Sequence, residues 1–179
     1  MAQKSTVFKA SLNVADLDRQ HYADYALTVA RHPSETDERM MLRLLAFALD
    51  ASERLAFGRG ISTADEPDLW CRSLGGEIEL WVDLGTPEPE RIRKACARAR
   101  RVKLYCYGGR AVPVWWARHG KALARFDNLA VLEIPAAASG QLAGMAASNM
   151  ALQCTIEGGE AWFSSAAGHV QVAPMVLNG

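Results

Sequence analysis

The chain has 179 residues, half of them apolar, with twenty basic and twenty acidic side chains and no formal net charge. This excludes an intrinsically disordered chain and a uniformly basic nucleic-acid coat, and leaves room for a basic face of local extent. No run of about 18 apolar residues occurs, and the opening MAQKSTVFKA has no apolar signal core, so a cytoplasmic protein without a membrane partner is expected.

In chain order, Thr6 to Val14 alternates as a strand, with Phe8, Ala10, Leu12 and Val14 on one side. Tyr22 to Arg31 reads as its hairpin partner, with a helix as the competing reading. His32 to Glu38 opens a helix, with Ser34 as the expected N-cap and three acids in the first turn, where the helix dipole favours them. Met41, Leu44, Leu45, Ala48 and Leu49 form its apolar stripe, and Glu38 is a carboxylate at the start of the buried side.

Phe57-Gly58-Arg59-Gly60 reads as the end of that helix and leads to the acidic loop Asp65-Glu66-Pro67-Asp68. Strands are expected over Leu69 to Arg72 and Glu77 to Leu84, around a turn at Gly75-Gly76. A helix over Glu88 to Arg101, a strand over Val102 to Tyr107, a helix over Val112 to Phe126 and a strand over Leu129 to Ile134 follow. Pro135 to Gly140 reads as a linker with a short helix after it. Strands at Ala151 to Ile156 and Glu160 to Ser164 flank the hairpin signal Gly158-Gly159, and Gln171 to Leu177 reads as a final strand. Strand–helix–strand crossovers of this kind give an α/β (α+β) fold, a mixed sheet flanked by helices. The expected division of a single domain is a hairpin extension over 1–31, a core over 32–135, and a linker with a β-rich tail over 136–179.

Strand 77–84 is central in that arrangement. Ile78, Leu80, Val82 and Leu84 face one side, and Glu79, Trp81 and Asp83 the other. An unpaired carboxylate there costs several kcal/mol, so a cation must be near or the face must open to water. Pairing through Gly75-Gly76 brings Asp68 towards Asp83. Two carboxylates on adjacent strands suit Mg2+, which would activate water and polarise a phosphate, with Glu38 as a third acid. The competing reading is a strand-end carboxylate paired with an arginine.

Pro67-Asp68 followed by Asp83-Leu84-Gly85 resembles the PD-(D/E)-x-K nuclease motif, with Gly85 standing where the motif has lysine. The resemblance implies a restriction-endonuclease-like core with Asp68 and Asp83 as metal ligands. It also implies a replacement cation from the following helix, Lys94 or Arg91. Over nearly the whole chain, LNVADLDRQHYADYALTVARHPSETDERMMLRLLAFAL, FGRGISTADEPDLW, IELWVDLGTPEPERIRKAC, YGGRAVPVWW and NMALQCTI resemble the YaeQ family of bacterial proteins. Two functions follow as expectations. One is a Mg2+-dependent phosphodiester hydrolase using Glu38, Asp68, Asp83 and Lys94. The other is a binding protein, of nucleic acid or of a transcription-related protein partner, that has lost turnover.

Arg91, Arg93, Lys94, Arg98, Arg100, Arg101 and Lys103 form a dense basic run, readable as a phosphate-attracting face or as the solvated side of a helix. Arg59 between glycines and Arg110 after Gly108-Gly109 are further candidates for nucleic-acid contact. Trp115 and Trp116 read as a wedge between helix and sheet, and Glu79 as the partner of a neighbouring strand or arginine. Cys71, Cys96, Cys106 and Cys154 show no CxxC spacing and read as buried reduced thiols.

Overall fold

The computed structural model describes residues 4–60 and 63–179. In chain order the elements are β1 (Thr6–Asp16), β2 (His21–Arg31), α1 (Asp37–Leu49), β3 (Leu55–Phe57), β4 (Leu69–Arg72), β5 (Ile78–Leu84), α2 (Pro89–Arg98), β6 (Ala99–Cys106), α3 (Ala111–Leu123), β7 (Leu129–Glu133), α4 (Ala136–Ala143), β8 (Asn149–Glu157), β9 (Glu160–Ser165), β10 (Gly168–Val172) and β11 (Met175–Asn178). The fold is mixed α+β, with two sheets that each contain parallel and antiparallel pairs. Contacts divide the chain into two compact units, 1–51 with 137–173 and 52–136 with 174–179. α1 falls in the first unit with the hairpin, not with the residues that follow it, as the expected 32–135 core had it.

The first unit is built on the sheet β10-β9-β8-β1-β2. β1 and β2 pair antiparallel from Thr6↔Arg31 to Asp16↔His21. The helical alternative for 22–31 loses because the strict alternation of β1, with Phe8, Ala10, Leu12 and Val14 buried, offers a complete ladder to pair with. The Gly158-Gly159 turn has φ of 62° and 76°, and both N–H groups donate to the Asp18 carboxylate at 2.8 Å. Those bonds hold the Asp18 pKa below its ordinary value. α1 packs on β1 and β2, and Met40 through Ala48 is buried without interruption, wider than the stripe read from the sequence. Its N-cap is Thr36, whose hydroxyl accepts from the Arg39 N–H at 3.1 Å. Ser34, the expected cap, instead bonds the His32 ring at 2.7 Å.

The second unit carries the sheet β11-β7-β6-β5-β4-β3, with β5, β6 and β7 parallel. Trp81, Ile92, Ala95, Val102, Leu104, Val112, Leu123 and Val131 form its core, with Trp115, Trp116 and Phe126 packed against it. Gly120 does not weaken α3. A Cβ there would come within 2.7 Å of the Trp116 ring, so its absence lets the indole lie against the helix.

Four sequence readings change. Phe57-Gly58-Arg59-Gly60 does not end α1, which stops at Leu49; a short strand, β3, intervenes. α2 ends at Arg98, and 99–101 already belong to β6, because Ala99 and Val102 are needed as buried strand positions. The helix expected after the 135–140 linker begins earlier, at Ala136, so most of that linker belongs to α4: Ala138 and Leu142 are buried one turn apart. The final strand is two. Pro174, which cannot donate to a ladder, separates β10 in the first sheet from β11 in the second. Thr36→Ala should lower stability by about 1 kcal/mol in urea unfolding, whereas Ser34→Ala should stay within about 0.5 kcal/mol of wild type.

Candidate functional site

Leu69 stands opposite Val82 in the β4–β5 ladder, so Asp68 arrives opposite Asp83. Both are buried, at 2% and 4% exposure. The Asp68 N–H donates to Asp83 Oδ1 at 3.3 Å, and the Leu84 N–H donates to Asp68 Oδ2 at 2.9 Å. The two acids are therefore brought together at one end of a strand pair.

The cation beside them is Arg91, on the first turns of α2. Its Nε donates to Asp83 Oδ2 at 2.9 Å and its Nη2 to Asp83 Oδ1 at 3.2 Å, a two-pronged pair. Trp81 Nε1 adds a third donor to Oδ2 at 3.0 Å. The rest of the guanidinium binds backbone: Nη2 reaches Glu66 C=O at 2.8 Å, and Nη1 reaches Ala64 and Thr63 C=O at 3.2 and 3.5 Å. Arg91 thus neutralises Asp83 and fastens the loop before Pro67 in one move. The loop is tied again by Arg98, whose Nη1 reaches Asp65 C=O at 3.0 Å while its guanidinium lies 5.2 Å from the Trp81 ring centroid.

Glycines make this close packing feasible. A Cβ at Gly60, whose φ is +51°, would lie 2.2 Å from Asp68 Oδ1, and one at Gly58 would lie 2.2 Å from Pro67 C=O. The two glycines flanking Arg59 therefore serve approach to Pro67-Asp68. Arg59 itself is exposed, and its N–H donates to Glu66 at 3.0 Å. Gly85 has φ of +97° while donating to Tyr105 C=O at 2.9 Å. A lysine at this position would be strained in that backbone.

The remaining candidates are distributed. Lys94 is exposed on α2, on the same side as Arg91 and Arg98, and Arg110 is exposed just before α3. Glu38 belongs to the first unit, where Ser139 Oγ lies 3.5 Å from its carboxylate. Glu79 pairs with Arg54 at 3.3 Å, as the arginine reading had it. Trp115 is the half-buried wedge, with its Nε1 on Pro87 C=O at 3.1 Å. Burial raises the Cys96 thiol to about 11 and the Cys106 and Cys154 thiols to about 12, so these sulfurs stay protonated and unreactive near neutrality.

The donor set does not fit a divalent cation as arranged. Asp83 already receives Arg91, Trp81 and a backbone N–H, and Asp68 receives the Leu84 N–H. Among the described residues no group of three or more His, Cys, Asp and Glu is placed to hold a metal ion. Beside the acid pair lies a cleft of about 420 Å³, lined by Asp65, Trp81, Arg91, Arg93, Lys94 and Arg98 among others. All of its cations come from α2, where Arg91, Lys94 and Arg98 share one face. The sequence's balanced charge conceals a partition. The second unit has fourteen Lys and Arg against eleven Asp and Glu, and the first has six against nine. The two-segment makeup of each unit hid this from a linear reading.

The arrangement is that of a two-sheet α+β protein with a buried acid pair and a cationic cleft, and no helix among the described residues is long and apolar enough to cross a membrane. The family model for the YaeQ protein matches residues 1–174, and this chain belongs to the YaeQ family. It is 48% identical over 172 residues to the YaeQ protein of Salmonella typhi, covering 96% of this chain and 95% of that one. It is 45% identical to the Escherichia coli K12 protein over the same shares. The crystal structure of YaeQ from Xanthomonas axonopodis pv. citri matches with a TM-score of 0.94 at 46% identity, covering 97% of this chain and 98% of that one. The Pseudomonas syringae YaeQ structure matches at 0.95 and 36%, covering 99% and 98%.

If Arg91 is the charge partner of Asp83, Arg91→Met leaves a buried, unpaired carboxylate and should cost about 3 kcal/mol or more in urea unfolding. Arg91→Met combined with Asp83→Asn should cost clearly less than the two single losses added together.

Proposed function

We propose that this chain is a nucleic-acid-binding protein that uses a PD-(D/E)-x-K-type strand pair as a scaffold and does not cut its ligand. The observation that carries the reading is the two-pronged Arg91–Asp83 pair: the cation that a hydrolytic site would recruit is supplied by the chain itself. Arg93, Lys94 and Arg98 line the adjoining cleft, where Lys94 is an exposed ammonium suited to a phosphate oxygen. Arg59 and Arg110, both exposed on the same unit, are further phosphate contacts in this reading. The excess of cations on the second unit favours a polyanion there, and binding of this kind is mostly electrostatic and sensitive to salt.

The hydrolase alternative keeps the retained Asp68–Asp83 pair as its support. It requires Mg2+ to displace Arg91 from Asp83, with Lys94 as the cation near the reacting phosphate and Glu38 as an assisting acid. The displacement would leave a guanidinium without its carboxylate and release the carbonyls of 63–66.

Fluorescence anisotropy with labelled single- and double-stranded DNA and RNA should give dissociation constants of roughly 1–100 µM that weaken steeply with salt. Lys94→Ala with Arg98→Ala should reduce the log–log salt slope by roughly 1.4–1.8. Oligonucleotides incubated with the protein and Mg2+ or Mn2+ should stay intact on a denaturing gel. Products that vanish with EDTA and with Asp83→Ala would establish the hydrolase instead. Affinity unchanged by the double substitution would place the ligand elsewhere.

A further inference from the structure

β2 is the edge of the first sheet and is paired on one side only. The direction of its peptide groups follows from two hydrogen bonds. The Lys9 N–H donates to Ser148 C=O at 2.9 Å, so odd residues of β1 address β8 and even residues address β2. Opposite Phe8, Ala10, Leu12 and Val14 stand Val29, Leu27, Tyr25 and Ala23, so the odd residues of β2 complete that ladder. The even residues turn N–H and C=O to the open edge. Arg43 agrees with this assignment, since its Nη2 donates to Ala30 C=O at 3.0 Å. That bond engages one end of the edge. Among the described residues, the peptide groups of Tyr22, Asp24, Ala26 and Thr28 have no backbone partner on that side.

Edges of this length are ordinarily blunted by Lys, Pro, a bulge or a covering element. HYADYALTVAR contains no Lys, Pro or Gly, and the β1–β2 ladder runs through it without a register shift. Its helix-side residues Ala23, Tyr25 and Leu27 are only half-buried, and form a small apolar rim continuous with Phe47 of α1, whose ring meets Tyr25 at 5.0 Å.

We propose that β2 pairs antiparallel with β2 of a second copy of this chain, joining two five-stranded sheets about a two-fold axis at Tyr25. The free ladder sets the register. With Ala30 engaged by Arg43, and Gln20 beyond the other end in a left-handed turn at φ +54°, the groups from Tyr22 to Thr28 remain. Pairing them with themselves sets Tyr22 against Thr28 and Asp24 against Ala26, for about eight hydrogen bonds. On the helix side it sets Ala23 against Leu27 and Tyr25 against Tyr25. No like charges stand directly opposite each other; each Asp24 faces an uncharged Ala26, and the two Asp24 side chains are diagonal neighbours across the axis.

Sedimentation equilibrium of the full chain from about 1 to 200 µM should show a monomer–dimer equilibrium. Ala26→Asp sets a like charge against Asp24 twice in each interface and should weaken the dimer roughly tenfold or more, while Ala26→Lys should leave it equal or tighter. In hydrogen exchange, amide protection of 22, 24, 26 and 28 should rise with protein concentration in the wild type, a readout independent of any variant's folding. A monomer across the whole range overturns the proposal. Equal behaviour of the Asp and Lys variants does so as well, as does exchange at these four amides that ignores concentration.

Discussion

The buried ion pair between Arg91 and Asp83 is the constraint on which the second unit's functional end depends. A carboxylate at 4% exposure between strands needs a countercharge, and in this fold the following helix delivers it. The same guanidinium binds three loop carbonyls, so charge neutralisation and loop order share one side chain. Arginine suits this role better than lysine, because its planar fork reaches both carboxylate oxygens and still has donors for the backbone. Both Asp83 carboxylate oxygens already receive donors, from Arg91 and Trp81, and exposed Lys94 lies in the neighbouring cleft.

The local backbone is arranged to permit this packing. Gly58 and Gly60 let the loop approach Pro67 and Asp68 at distances no side chain would tolerate. Gly85 turns the chain at a positive φ just after Asp83 and Leu84, leading towards Pro89 and the first turn of α2, where Arg91 sits. The same turn thus both disfavours a lysine at position 85 and leads to the helix that carries Arg91.

Much of this was legible in the sequence. The hairpins, the central strand 78–84 and the opposition of Asp68 to Asp83 followed from alternation and from the glycine turns, which depend on near neighbours. The possibility of an arginine on Asp83 was also legible, but its identity was not. Arg91 is one of seven basic residues between 91 and 103, and nothing in their spacing distinguishes it. What distinguishes it is the loop at 63–66, which has no periodic pattern and whose carbonyls bind Arg91 from 25 to 28 residues away. The neighbour of Glu38 was not legible either: a carboxylate in the first turn of a helix is equally consistent with helix stability, and its grouping with Ser139 rests on a contact 101 residues distant. The final strand is two because Pro174, which lacks an N–H, interrupts the mostly apolar run 171–177 that alone suggests one strand.

The partition of charge gives this chain one unit with a cationic excess and one with an acidic excess, and the cleft beside α2 lies in the cationic one. Arg91 is the cation that the acid pair already holds. Anomalous scattering from crystals grown in Mn2+ should show Arg91 still in place on Asp83 and no manganese peak at about 2.1 Å from either carboxylate. A peak bridging Asp68 and Asp83, with the guanidinium swung away, would contradict it.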